Sequence, residues 1–230
     1  MKPLGKRSYG SIPHLHGSRL GPGDYHIHAG QEAICTTKKR DKHDLVIVQE
    51  KLDGSNVGVV KIDNKILAIT RAGYLANTSK YDQHLLFDQW VKDHEDLFYN
   101  LLNEGERVCG EWLAMAHGTK YDLPHAPFVA FDLMTGNKRV PYYEFNRRCL
   151  CLPTPRVISI GEPFSIDQMK DAIQVSGHGA IDPVEGAIWR VERKGEVDFL
   201  AKFVQHFKQD GKYFEETTGL PPHWNWQPQT

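Results

Sequence analysis

No stretch of this 230-residue chain comes near the 18 or more consecutive apolar residues of a membrane span, so function through a transmembrane helix is excluded. The opening MKPLGKRSYGSIPHLHGS is basic but has no apolar h-region, which argues against a secretory signal. A cytoplasmic protein with no membrane partner is the expectation. Cysteine is scarce: Cys35, Cys109, Cys149 and Cys151 form neither a disulfide framework nor the CxxC pairs of a zinc ribbon. Cys149 and Cys151, two apart among apolar neighbours, read as small core residues. Neither sign of charge is in excess, and a net charge of −1 excludes coating of nucleic acid through bulk basicity. A local basic groove is still open, with cations gathered at 38–42, 190–194 and 202–212. Repeats and low-complexity segments are lacking as well.

What is present is a globular composition, 40% apolar and 25% charged, with enough chain for a substantial core. One domain is expected over 1–230, with 1–44 an irregular Gly-, His- and Pro-rich lead-in and 213–230 a proline-broken tail. The two tryptophans of that tail imply that it packs on something. From residue 45 the pattern is β: LVIVQE, NVGVVKI, a tight DNK turn, then ILAITR. Apolar residues at helical spacing predict a helix over 81–102. Strands are predicted at 106–113 and 127–133, helices at 141–151 and 166–175, and strands at 185–193 and 197–204 with a turn at Lys194-Gly195. The outcome is an α+β fold with antiparallel sheets.

The stretch EKLDGSNVG at 50–58 follows the apolar run LVIV directly. A lysine there either faces solvent by alternation or is held for chemistry, because an unpaired lysine is costly to desolvate. Downstream lie Arg71 ending a strand, CGEW at 109–112, FVAFDL at 128–133, VEGAIWR at 184–190 and FLAKFV at 199–204. Each sets an acid, aromatic or cation in or beside an apolar β-run, where a side chain projects from a sheet face. Read blandly, Arg71 is a strand-end surface cation, Glu111 a product of strand alternation, and Phe131 a core aromatic.

In this order, across about residues 45–208, the motifs resemble the covalent nucleotidyltransferases, the superfamily of DNA ligases, RNA ligases and capping enzymes. The nucleotidyltransferase, ATP-grasp-like adenylation fold, with antiparallel sheets flanking an ATP cleft, is what that resemblance implies. Asn56 makes the motif KxDGxN, which looks like the nick-sealing RNA ligases; HLHGSR at 14–19 resembles a lead-in of small RNA-ligase-domain proteins. By resemblance, Lys51 is the catalytic nucleophile that takes AMP from ATP. Lys202 contacts the α-phosphate, Arg71 a phosphate or the ribose, and Asn56 and Glu111 the ribose hydroxyls. Phe131 stacks on adenine, and Glu185 orients magnesium, for which manganese substitutes. Glu50 and Asp53 flank the nucleophile, reading the base or supporting metal and lysine geometry. Arg19 either binds a 5′-phosphate or pairs with Asp24.

The implied partner is RNA carrying 5′-phosphate and 3′-hydroxyl ends, at nicks in a duplex; a small DNA ligase and a non-catalytic nucleotide- or RNA-binding module are the alternatives. An ordinary lysine is neutral in roughly one molecule per thousand near pH 7.4. Lys51 is therefore expected to be depressed by desolvation and by the charge of Arg71, Lys202 and a metal.

The sequence departs from the family pattern in two places. The last motif offers one lysine, Lys202, where two often flank a residue, with Lys208 a distant substitute. Only 28 residues follow Lys202, too few for an OB-fold or helical C-terminal domain. The pairs His14/His16 and His26/His28 lack a third metal ligand at useful spacing and read as loop packing or phosphate contacts. The run 38–42 reads as a solvated loop or an RNA-backbone contact.

Overall fold

The computed structural model describes residues 1–228. Its organising feature is the passage of the chain from one sheet to another within three residues. Strand β1 (Asp44–Lys51) carries the uninterrupted apolar run and is buried between two neighbours, as such a run requires. After Leu52-Asp53-Gly54 the chain enters β2 (Ser55–Ile62), which belongs to the other sheet. Gly54 permits this passage: a Cβ there would sit 2.5 Å from the Trp112 carbonyl oxygen and 3.0 Å from the Leu113 side chain.

A two-residue turn, Asp63-Asn64, leads from β2 into β3 (Lys65–Thr70), with both residues left-handed at φ 52° and 58°. Asn and Asp tolerate that conformation, and such turns match the twist of a hairpin. Then follow β4 (Glu106–Trp112), β5 (Phe128–Thr135) and the short β6 (Lys138–Arg139). The second sheet runs β3-β2-β4-β5-β6, antiparallel throughout. The first runs β7-β1-β8-β9, with β7 spanning Val157–Gly161, β8 Gly186–Arg193 and β9 Glu196–Val204. Its β8–β9 hairpin turns at Lys194-Gly195, as expected. The α+β architecture of two antiparallel sheets matches the expectation; β6 and β7 escaped it, being short and weakly patterned.

Each sheet buries its outer face under its own helices. On the second sheet α2 (Asp82–Asp93), α3 (Glu95–Leu101) and α4 (Tyr142–Arg148) cover Trp112 and Phe128 with Phe87, Trp90, Phe98 and Phe145. The single helix expected over 81–102 is thus two. His94 ends one and begins the next at φ −119°, its Nδ1 2.8 Å from the Trp90 carbonyl and its ring stacked on Trp90. The tail packs here as expected: Trp224 and Trp226 close on this core, Trp226 with its ring 6.0 Å from Trp112.

On the first sheet α1 (Ala29–Thr36) and α5 (Ile166–Ala172) lie over Trp189, Val46 and Val48. The lead-in is therefore not wholly irregular. Its α1 is too short to display a period, and it is held by burial of Ile34 and Cys35. Residues 13–15 hydrogen-bond along β9, where the Lys202 amide donates to Pro13 and the Leu15 amide to Lys202. A further short helix, α6 (Glu215–Thr218), precedes the tail segment. Cys149 is buried as expected; Cys151 is exposed, because α4 has ended at Arg148 and the chain there turns outward. No helix among the described residues is long and apolar enough to cross a membrane.

Candidate active site

Between the sheets, where β1 gives way to β2, opens a cavity of about 740 Å³, within the range of small-molecule sites. Glu50, Lys51, Asp53, Asn56, Arg71, Glu111, Phe131, Glu185 and Lys202 all line it. Strand register explains much of this convergence. Lys51, the last residue of β1, pairs with Gly186 at the start of β8, which places Glu185 alongside; Asn56 pairs with Glu111 across β2 and β4. Of the expected site residues, Arg19 stands apart. Its guanidinium pairs with Asp210 at 2.9 Å, not with Asp24, because Asp24 is taken by His14 at 3.1 Å and Lys202 at 3.4 Å.

The charge state of Lys51 corrects the expectation of a depressed amine. Its Nζ lies 2.6 Å from the Glu185 carboxylate and donates to the Leu52 carbonyl at 3.3 Å. Burial opposes its charge, but Glu185, Glu111 and Asp53 outweigh burial and hold it well above the ordinary lysine range. The depression falls on Lys202 instead, through its own burial and the neighbouring Lys51 charge, offset by Asp24. Arg71 is exposed, its guanidinium donating to Ser11 Oγ at 3.3 Å and to the Gly10 carbonyl at 3.5 Å.

The acids are unequal. Burial pushes Glu111 up to about 7, with Lys51 opposing and Glu185 and Asp53 adding to the rise. One of its oxygens accepts the Gly54 amide at 3.1 Å, tying it to the crossing loop. Burial likewise raises Glu185, against the pull of Lys51. Asp53 is buried too, yet its carboxyl lies below the usual range because Lys208 pairs with it. Glu50 spends both oxygens on the 176–177 loop, accepting from Ser176 Oγ at 2.6 Å and the Gly177 amide at 2.8 Å. It therefore acts here as an anchor beneath Lys51.

Two features fit a nucleoside triphosphate. Asn56 Oδ1 is buried without a hydrogen-bond partner in the cavity wall, an acceptor awaiting a donor such as a sugar hydroxyl. Phe131, partly buried on β5, meets Tyr9 edge-on at 5.0 Å and also lines the cavity. Among the described residues no three His, Cys, Asp or Glu side chains cluster to hold a metal on their own. Glu185, buried in the cavity wall and paired with Lys51, is a carboxylate of the kind that would hold magnesium, an ion that keeps waters and takes its other ligands from phosphates.

Sequence reasoning missed the supports. Lys208, flagged only as a distant substitute, does not line the cavity: its buried ammonium bonds Asp53 and, at 2.8 Å, Thr119 Oγ1. The Tyr121 hydroxyl accepts the Asp53 amide at 3.0 Å, and the Gly118 amide donates to Asp53 at 2.7 Å. These contacts cross long sequence gaps and leave no local pattern.

Other candidates resolve as packing. His16 stacks on His26 at 4.6 Å and bonds Glu32. In the basic run, Lys39 pairs with Glu162 at 2.6 Å and Arg40 with Asp44 at 2.7 Å, while Arg190 is buried against Asp132 at 2.6 Å. Lys39, Arg40, Arg190 and Arg193 are thus neutralised in place.

A family model described as RNA ligase matches residues 44–204. An uncharacterized protein of Methanocaldococcus jannaschii is 24% identical over 174 residues, 74% of this chain and 40% of that protein. The chain thus spans about two fifths of the length of the curated relative it matches. Among solved structures, an archaeal ATP-dependent RNA ligase shows 23% identity and a TM-score of 0.49, over 86% of this chain and 48% of that one. A mutant Naegleria gruberi RNA ligase with AMP and Mn gives a TM-score of 0.54 at 16% identity, over 76% of this chain and 54% of its own. The latter likeness is one of fold, the ligase nucleotidyltransferase fold.

Proposed function

Since the chain belongs to the RNA ligase family, we propose that it is an ATP-dependent RNA ligase working through an adenylated Lys51. One observation carries this reading: the Lys51 ammonium opens into a cavity of about 740 Å³ whose wall holds the polar side chains that such chemistry needs. Neutral Lys51 Nζ attacks the α-phosphorus of ATP. An N–P bond forms as the α–β P–O bond breaks, and pyrophosphate leaves with the electron pair. The amine sheds one proton before attack and one after it, and Glu185, at 2.6 Å and with its pKa raised by burial, is placed to receive a proton.

Phosphoryl transfer is mainly positioning and charge stabilisation. Lys202 and Arg71 meet the phosphates, Asn56 Oδ1 accepts a ribose hydroxyl with Glu111 beside it, and Phe131 lies against adenine. Magnesium, with manganese as substitute, would be held by Glu185 together with phosphate oxygens and would supply positive charge there. An oxygen of an RNA 5′-phosphate then attacks the adenylyl phosphorus, the N–P bond breaks and Lys51 regains its proton. Finally a 3′-hydroxyl attacks the activated 5′-phosphate, expelling AMP and forming the phosphodiester, with a nick in a duplex as the preferred substrate. Residues 1–230 serve as one adenylation domain in this scheme.

Incubation with α-labelled ATP and magnesium tests the proposal. Wild type takes up covalent label and Lys51→Ala does not; equal labelling of both ends the reading, and labelling by GTP in place of ATP points to capping chemistry. Nicked duplexes with RNA or DNA at the 3′-hydroxyl side then separate RNA joining from DNA joining.

A further inference from the structure

Residues 1–23 and 64–81 contain no aspartate or glutamate, yet they hold seven lysines and arginines in a chain whose net charge is −1. The fold brings these two segments together. The Ser8 amide donates to the Arg71 carbonyl at 3.0 Å and the Leu75 amide to the Met1 carbonyl at 3.4 Å. Gly73, left-handed at φ 86°, approaches the Lys6 carbonyl so closely that a Cβ would lie 2.0 Å from it. This seam forms one wall of the cavity mouth, where Tyr74 and Tyr81 line the opening and remain 49% and 50% exposed.

Each of these rings carries a lysine. Lys2 Nζ lies 4.5 Å from the Tyr74 ring centroid and Lys80 Nζ 5.1 Å from that of Tyr81. Neither lysine forms an ion pair among the described residues, in contrast to Lys39, Arg40, Arg190 and Arg193. The segment bearing Tyr81 is fixed by His84, which bonds Ser79 Oγ at 2.7 Å and Ser55 Oγ, at the start of β2, at 2.9 Å. Large aromatic faces left in water next to uncompensated cations match a ligand with both planar faces and repeated negative charge. A polynucleotide strand has both.

We propose that this wall is the platform for the RNA strand whose 5′-phosphorylated end enters the cavity: bases stack on Tyr74 and Tyr81, and phosphates take up Lys2 and Lys80. The inference rests on reading the cavity as an RNA-joining site. Its test therefore reads RNA binding and ATP labelling separately.

The experiment measures affinity for a 5′-phosphorylated RNA oligonucleotide by fluorescence anisotropy across a salt series. Tyr74→Ala/Tyr81→Ala lowers affinity about tenfold or more, as removal of base–aromatic stacking does. Tyr74→Phe/Tyr81→Phe keeps it, because the rings remain. Lys2→Ala/Lys80→Ala reduces the slope of log affinity against log salt by about 1.4, at ~0.7 for each single-strand phosphate that no longer meets a lysine. Labelling by ATP stays within about twofold of wild type in all three. Wild-type RNA affinity in the alanine variants overturns the platform, as does a drop in the phenylalanine variant equal to that in the alanine one. Competition by poly-glutamate as strong as by RNA reassigns the patch to an acidic protein and also overturns it. Failure of the wild type to label with ATP, while these affinity differences hold, would sink the ligase reading and leave the platform standing.

Discussion

Lys51, the last residue of β1, and Glu185, just ahead of β8, stand 2.6 Å apart, so one hydrogen-bonded strand pair brings together the lysine proposed as nucleophile and a carboxylate within reach of its proton. The same contact favours the charged amine. In the proposed reaction, activation requires that this carboxylate be drawn off or protonated as the triphosphate enters.

Glu185→Gln removes the strongest charge favouring the Lys51 ammonium, so its pKa falls and the amine becomes neutral at lower pH. The acid limb of the pH profile for self-labelling moves down by about one unit, while the maximal rate falls at least about tenfold through loss of the proposed proton acceptor and metal support. A limb that stays in place would show that Glu185 does not control the amine.

Glu111 bears on stability in the opposite sense from a paired carboxylate. Its folded pKa of about 7 lies above the unfolded value, so ionisation is disfavoured by folding and the cost appears as pH rises. Glu111→Gln, which retains an acceptor for the Gly54 amide, gains ~1–3 kcal/mol at pH 8, growing from about pH 4.3 to 7 and level above. Urea unfolding at pH 4 and pH 8 checks it. A gain of equal size at both would refute the assignment.

Burial lowers His178 to about 4, with His125 and Arg156 adding to it. Its Nε2 accepts the Arg156 amide at 3.2 Å and its Nδ1 faces His125 Nε2 at 2.8 Å, an arrangement suited to a neutral ring. The unfolded chain takes a proton near pH 6.5 that the folded one refuses. Stability is thus present above that pH and lost toward pH 4. His14 and His117, also lowered to about 4 by burial, act alike. The unfolding free energy of wild type therefore declines below pH 6.5, and His178→Gln flattens the slope by ~1 kcal/mol per pH unit. Urea titrations at half-unit steps provide the measurement.

The buried Lys208–Asp53 pair supports the motif loop from below. Lys208→Met leaves Asp53 charged and partnered only by neutral donors, costing ~3–5 kcal/mol. Adding Asp53→Asn recovers a large part of that loss, so the two changes are strongly non-additive in denaturant melts. Strict additivity would place the two side chains in separate environments.

The motif residues were legible before any fold was seen because their chemistry is unusual for where they sit: Lys51 and Glu185 stand at the ends of apolar strands and Lys202 inside one, and such placements are costly without a purpose. Most strands and both tight turns were equally legible from alternation and from turn residues such as Asp63-Asn64. Helix α1, the break at His94 and the short β6 and β7 were not, since each is held by tertiary packing in place of a local period.

The motifs, in their order and by their resemblance to a known family, named most of the side chains that line the cavity, and local register such as that of the β2–β3 hairpin followed from alternation and turn length. Their charge states were decided only by tertiary structure. A pKa depends on how many charges of each sign stand within a few ångströms, and it was the folded arrangement that set three carboxylates around Lys51, turned Lys208 toward Asp53 and left Tyr74 and Tyr81 open at the rim.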